Sequence, residues 1–221
     1  NQRLSWGILD AFQEAAEQAG IPKTNDFNRG NNEGCGYFHV NQRRGWRWNT
    51  ARGFLKPARS RPNLQVFTRA QVKALQVEDG RVAGVQLVLG SQEALISARR
   101  EVILAAGSIG SVQILQLSGV GPGDVLREHG IDVVKEIPGI GENLQDHLQI
   151  RCAYKVEGVK TLNERANSLL GKLGIGLEYL MFQSGTMSMA PSQRGAFAKS
   201  DASRETPNLQ YHVQPLSLDK F

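Results

Sequence analysis

Few side chains in this chain of 221 residues stand in a spacing that suits acid–base, nucleophilic or metal chemistry. Cys35 and Cys152 are the only cysteines, far apart and outside any CxxC, which indicates neither a disulfide framework nor a zinc site. His39, His129, His147 and His212 show no HxxxH or HExxH spacing, and no metal centre is expected. The stretch with the clearest chemical promise is instead small and apolar: residues 101–121, EVILAAGSIGSVQILQLSGVG. Residues 102–106 read as a buried parallel strand, broken by Gly107 and Ser108. Ser111 is the expected N-cap of a helix with Ile114, Leu115 and Leu117 on its buried face. Gly119 to Gly123, with Pro122, stops it. A strand, a small-residue turn and a helix start form the usual meeting place of an α/β sheet and a phosphate-bearing ligand. They equally describe an ordinary βα unit whose small residues permit close packing.

The flanking elements must position this stretch. Residues 5–19 place Ile8, Leu9, Phe12, Ala15, Ala16 and Ala19 on one helical face, closed by Gly20 and Pro22. Residues 24–36 are an Asn- and Gly-rich loop, and residues 37–40 suit a short strand. A helix is expected over residues 50–58, capped by Asn49 or Thr50. Residues 64–68, 70–77, 82–89 and 94–98 read as short strands, with Glu78-Asp79-Gly80-Arg81 as a hairpin turn. They form a β-meander feeding the α/β stretch. Beyond it come a short helix over residues 124–129 and strands over residues 133–136 and 149–156. A glycine-interrupted helix over residues 169–182 precedes strands over residues 195–198 and 208–214, which belong to a second sheet.

Composition is that of an ordinary globular protein, 40% hydrophobic and 21% charged, with 24 glycines and 8 prolines marking many turns. No apolar run approaches the roughly 20 residues a membrane span requires. The net charge of +5 is concentrated in seven basic residues, Arg43, Arg44, Arg47, Arg52, Lys56, Arg59 and Arg61, with no acidic residue among them. With Trp46, Trp48 and Phe54 interleaved, this segment admits a non-catalytic module for nucleic acid or another anionic partner. Without a nucleic-acid motif, a solvated or ion-paired face is the favoured reading, and no nucleic-acid partner is expected. Unpaired cysteines fit a reducing, cytoplasmic compartment, with peripheral association at a membrane left open.

Four motifs in order along the chain resemble the glucose–methanol–choline (GMC) family of flavin-dependent oxidoreductases. The loop DFNRGNNEGCG (residues 26–36) is similar to the family's D-F-N-G-x-x-Q-E-G-x-G. WNTARGFLKPARSRPNLQV (residues 48–66) resembles S-T-A-R-x-Y-L-x-x-A-x-x-R-P-N-L-x-V. AAGSIGSVQILQLSGVGP (residues 105–122) matches A-G-x-I-x-S-P-Q-I-L-x-x-S-G-V-G, and PGIGENLQDHL (residues 138–148) is similar to P-G-V-G-x-N-L-Q-D-H. Val112 departs from the pattern, since the family has Pro there, at a position suited to the first turn of a helix. Gly30-Asn31 is offset from the usual loop.

The resemblance implies FAD and oxidation of a small alcohol, choline-like or other, to an aldehyde; the family also hosts hydroxynitrile lyases. Its implied fold is α/β, mixed α+β. Residues 53–149 would be part of an FAD-binding, Rossmann-like domain with a β-meander. Residues 1–52 and 150–221 would be parts of an antiparallel-sheet substrate domain. Val72 matches the position whose backbone touches the adenine ring, and Ala106 and Gly107 match the small residues beside the adenosine half. Asn143, Asp146 and His147 fall in a motif, yet loop ties explain polar residues there as well. None of the closely spaced glycine pairs extends to GxGxxG. No histidine here matches the family's catalytic one, and no catalytic residue is assigned. In family order the fingerprint precedes Asn1 and the catalytic histidine follows Phe221. The resemblance therefore implies an internal fragment of a longer enzyme, inactive by itself.

Overall fold

A computed structural model describes residues 4–217. In chain order its elements are α1 (Gly7–Gln18), β1 (Gly34–Tyr37), β2 (Gln42–Arg43), β3 (Trp46–Arg47) and a π-helical turn (Ala51–Leu55) running into α2 (Lys56–Ala58). Then come β4 (Ala70–Glu78), β5 (Arg81–Leu89), β6 (Gln92–Ser97), α3 (Gly107–Leu117), β7 (Val120–Gly121), α4 (Gly123–Glu128) and β8 (Lys135–Glu136). Last are α5 (Leu162–Ala166), α6 (Leu169–Phe182), a 3-10 turn (Thr186–Ser188), β9 (Arg194–Ala198) and β10 (Leu209–Val213). The mixed α/β class expected from the sequence is what forms. The chain divides into two compact units, Asn1–Ser60 with Arg151–Phe221, and Arg61–Ile150.

The first unit is built on the antiparallel sheet β1-β9-β10. Its central strand tolerates no side chain at Gly195, where a Cβ would run into the Phe38 ring and the Tyr211 carbonyl. Helix α1 ends as its sequence dictates. Gly20 takes the left-handed conformation (φ 86°), its N–H donates to Glu17 and that of Ile21 to Ala16. Ile21 and Phe12 then pack on the buried cluster of Ala16, Cys35 and Ala196. Arg194, only 3% exposed, ties β9 to α1: it pairs with Asp10 at 3.0 Å, donates to the Leu9 carbonyl and lies 3.8 Å over the Tyr37 ring.

Helix α6 forms despite its three glycines. The Ser168 hydroxyl accepts from the Gly171 N–H at 2.9 Å, and a Cβ at Gly171 would collide with the Arg165 carbonyl. Its Ile175 is buried, and its Tyr179 hydroxyl donates to the Gly45 carbonyl at 3.3 Å. Leu169, Leu170, Leu173, Leu177, Leu180, Met181 and Phe182 stay exposed. Two residues of the basic segment, Arg43 and Arg52, make internal contacts. Arg43 stacks 5.0 Å from Trp48, Arg52 lies 5.2 Å from Trp46, and Arg52 also donates to the Arg47 carbonyl.

The second unit is the meander β4-β5-β6 with α3 packed on β4. Asp79 and Gly80 (φ 49° and 75°) make the two-residue turn between β4 and β5, as their types require. The β4–β5 register shifts between Val72 and Ala74, so that Lys73 is an extra residue on the edge strand. Beyond this bulge the buried Leu75 N–H donates to the Ser118 Oγ at 2.7 Å, and that hydroxyl donates in turn to the Ile114 carbonyl at 2.5 Å. Gly119 (φ 77°) follows, where a Cβ would strike the Asp132 carbonyl and Val134. This close approach brings β7 and β8 into a parallel pair.

Several expected strands are corrected. Residues 102–106 form no strand, and Ile103 is 80% exposed: among the described residues no strand lies alongside to supply the ladder. The same holds for residues 64–68 and 149–156, whose alternation is present without a partner. The strand expected at residues 37–40 lies at Gly34–Tyr37, where glycines let the backbone approach Thr24 closely. The one expected at residues 133–136 shortens to Lys135–Glu136. Ser111 is not the N-cap of α3. Ala106 holds that place, and the Ser111 hydroxyl accepts the Ala106 N–H at 3.2 Å from one turn inside. Thr50 holds the N-cap place of the π-helical turn, and the Asn49 Oδ1 just before it accepts the Arg52 N–H at 3.0 Å.

Two outcomes follow from these environments. Burial raises the Cys35 thiol pKa, with Arg194 opposing, whereas Cys152 is exposed. A thiol-reactive dye at pH 8 labels Cys152 alone in the native chain and both cysteines in denaturant; fast native labelling of Cys35 contradicts this packing. Ser118→Ala leaves the buried Leu75 N–H without its acceptor. Urea denaturation will show the second unit destabilised by about 2 kcal/mol.

Candidate functional site

The meander and α3 border a cavity of about 300 Å³ that is open to solvent on one side. Its walls are Gln71 and Val72 from the edge strand β4, and Ala106, Gly110, Gln113, Ile114 and Leu117 from α3 and its cap. The helical contributors recur one or two turns apart, so a single face of α3 looks onto the strand. Gly110 keeps that face low: a Cβ there would sit 3.2 Å from that of Ala106. Such a volume stands at the lower end of small-molecule pockets and suits one ring system with its sugar, not a dinucleotide.

The walls are apolar, and the polar groups are amides. Strand β4 is an edge, paired only with β5, so part of its backbone is not spent on the ladder. The Ser118 tie spans β4 and the C-terminal end of α3, fixing the width of the cavity at one end. At the rim, Gln71 Nε2 donates to the Val72 carbonyl at 3.3 Å. Across the strand, Lys73 pairs with Glu93 at 2.6 Å, and Lys73 holds the Glu93 carboxyl below the usual carboxylate range. That pair is exposed and contributes a surface contact only.

Of the residues singled out from the sequence, Val72 and Ala106 line this cavity together. Gly107 does not line it. As the first residue of α3 it has φ 82°, and a Cβ there would meet open space. The 138–148 motif lies in an exposed loop, where Asn143 takes the left-handed conformation and the His147 N–H donates to Asp146. The 26–36 motif runs through side-chain-capped turns into β1. Asp26 accepts from the Asn28 N–H, which holds its carboxyl below the usual range, and Asn31 accepts from the Glu33 N–H. Sequence reasoning missed Gln71, Gly110 and Gln113. The spacing of residues 106, 110, 113, 114 and 117 on one helical face would have found the helical side; nothing in the sequence marks Gln71 beyond its place before Val72. Among the described residues no cluster of three or more His, Cys, Asp or Glu could hold a metal ion, and no helix is long and apolar enough to cross a membrane.

The chain resembles several known proteins. Oxygen-dependent choline dehydrogenase of Brucella ovis is 40% identical over 211 residues, 96% of this chain and 38% of the relative. That of Stenotrophomonas maltophilia is 41% identical over 213 residues, again 96% of this chain and 38% of the relative. The chain thus spans well under half the length of these relatives. Among solved structures, pyridoxine 4-oxidase from Mesorbium loti is 34% identical, with a TM-score of 0.62 over 66% of this chain and 28% of its own. An FAD-dependent oxidoreductase from Chaetomium thermophilum shares the fold at 23% identity, with a TM-score of 0.76 over 89% of this chain and 35% of its own. The GMC oxidoreductase family model matches residues 4–149. With its motifs in family order and the family pattern matched over most of its length, this chain belongs to the GMC oxidoreductases.

Proposed function

We propose that the chain is part of an FAD-dependent oxidoreductase that converts a small primary alcohol, choline-like or other, to its aldehyde. In this reading Arg61–Ile150 is part of the FAD-binding domain, and the other unit is part of the substrate domain. The observation that carries the reading is the cavity that holds Val72 and Ala106 in one wall system. These are two of the three positions that the family resemblance links to the adenosine half of the cofactor.

The residues present fit that half. The apolar walls of Val72, Ala106, Ile114 and Leu117 suit the faces of a purine, and an edge-strand backbone suits its hydrogen-bonding rim. Gly107 leaves space for the chain to pass close to a sugar or phosphate. When bound, FAD supplies the hydride acceptor for alcohol oxidation. The part played by these residues is to hold and orient the adenosine end. The base that takes the hydroxyl proton is not assigned to any residue of this chain.

The test separates binding from turnover. The purified chain is titrated with adenosine, watching the backbone amide resonances of Val72 and Ala106, and is then assayed with FAD, choline and an artificial electron acceptor. Saturable shifts at both residues, with no turnover by these 221 residues alone, are the expected result. Robust choline oxidation by the chain alone, or adenosine shifts confined to other residues, would overturn the reading.

A further inference from the structure

The Gln71 carboxamide lies at the rim of the cavity, on the residue directly before Val72. Its Nε2 donates to the Val72 carbonyl, the neighbouring acceptor on the edge strand, at 3.3 Å. That distance is long for an N–H···O bond, whose usual value is near 2.9 Å, and the pair is exposed to water. Such a bond is easily exchanged for another donor. The carbonyl oxygen it covers belongs to a residue of the cavity wall, so a ligand's N–H group reaching that oxygen meets the carboxamide first.

We infer that Gln71 is an internal competitor for the ligand. Its amide occupies the Val72 carbonyl in the free protein and gives way to the exocyclic amine of an aminopurine. This rests on the reading of the cavity as an adenosine site, and extends it from where the ligand lies to what sets its affinity. A site whose acceptor is partly covered binds more weakly by the fraction of time it is covered. The competition acts only on ligands that use the carbonyl, so Gln71 also weakens the preference for a purine bearing an amino group over one lacking it. The side chain, exposed and on a strand already held by β5, has no part in the core, and its replacement leaves the fold in place.

The experiment compares the whole chain with its Gln71→Ala and Gln71→Asn variants, titrating each with adenosine and with purine riboside, which lacks the amino group. Binding is read from backbone amide shifts, and Gln71 is followed through its own side-chain NH₂ resonances. In both variants the preference for adenosine over purine riboside should rise about threefold, because alanine lacks the donor and asparagine is too short to reach back. In the unsubstituted chain adenosine, but not purine riboside, should shift the Gln71 side-chain resonances. An unchanged or lower preference for adenosine over purine riboside in the variants, with Val72 still shifted, would refute the role of Gln71 and leave the adenosine site standing. An absence of any adenosine-induced shift around Val72 and Ala106 would remove the site and the inference together.

Discussion

One serine hydroxyl holds the candidate site in shape. Ser118 receives the Leu75 N–H from the edge strand and donates to Ile114 in the last turn of the helix. The donor it satisfies is buried, so the alternative to this bond is not a bond to water but an unpaired amide. Strand and helix are therefore locked at a fixed distance, and the space left between them is the cavity. Gly119, directly after the serine, lets the chain turn against Asp132 and Val134, so the helix is anchored on its far side as well. A bulge one turn of the pleat away re-aims the strand as it reaches Val72.

The first unit rests on a different kind of constraint. Arg194 is a buried charge, which is tolerated only with partners on several sides. Asp10, the Leu9 carbonyl and the face of Tyr37 provide them, and the Tyr37 hydroxyl closes the group by donating to Asp10 at 3.0 Å. Burial, followed by that hydrogen bond, raises the Tyr37 pKa, so the phenol stays a donor across the neutral range. This arrangement fixes one angle of α1 on the sheet where apolar packing alone would accept several.

What the sequence disclosed was local chemistry. The Asp79-Gly80 turn, the glycine closing α1 and the apolar pattern of α6 are properties of a few neighbouring residues, and each formed where the residue types require. What it could not disclose was pairing. Residues 102–106 have the composition of a buried strand, but a strand exists through its ladder, and alternation says nothing about whether a neighbour is present. Capping went astray for a related reason. Ser111 has the right side chain, yet the left-handed freedom of Gly107 let the helix begin five residues sooner. Val72 and Ala106, which the family's motifs single out, both line the cavity. Gln71 was not legible, because its contact depends on how one side chain folds back on an edge strand.

The leucine face of α6 governs how the chain behaves in a tube. Leu170, Leu173, Leu177 and Leu180 recur at helical spacing and are exposed, a continuous stripe that water solvates poorly. Attraction between such stripes grows on warming and in sulfate, and fades in the cold and in dilute urea. Storage near 0 °C in low-sulfate buffer (about 4 °C suffices) therefore favours the dispersed chain, and warming it in ammonium sulfate favours precipitation.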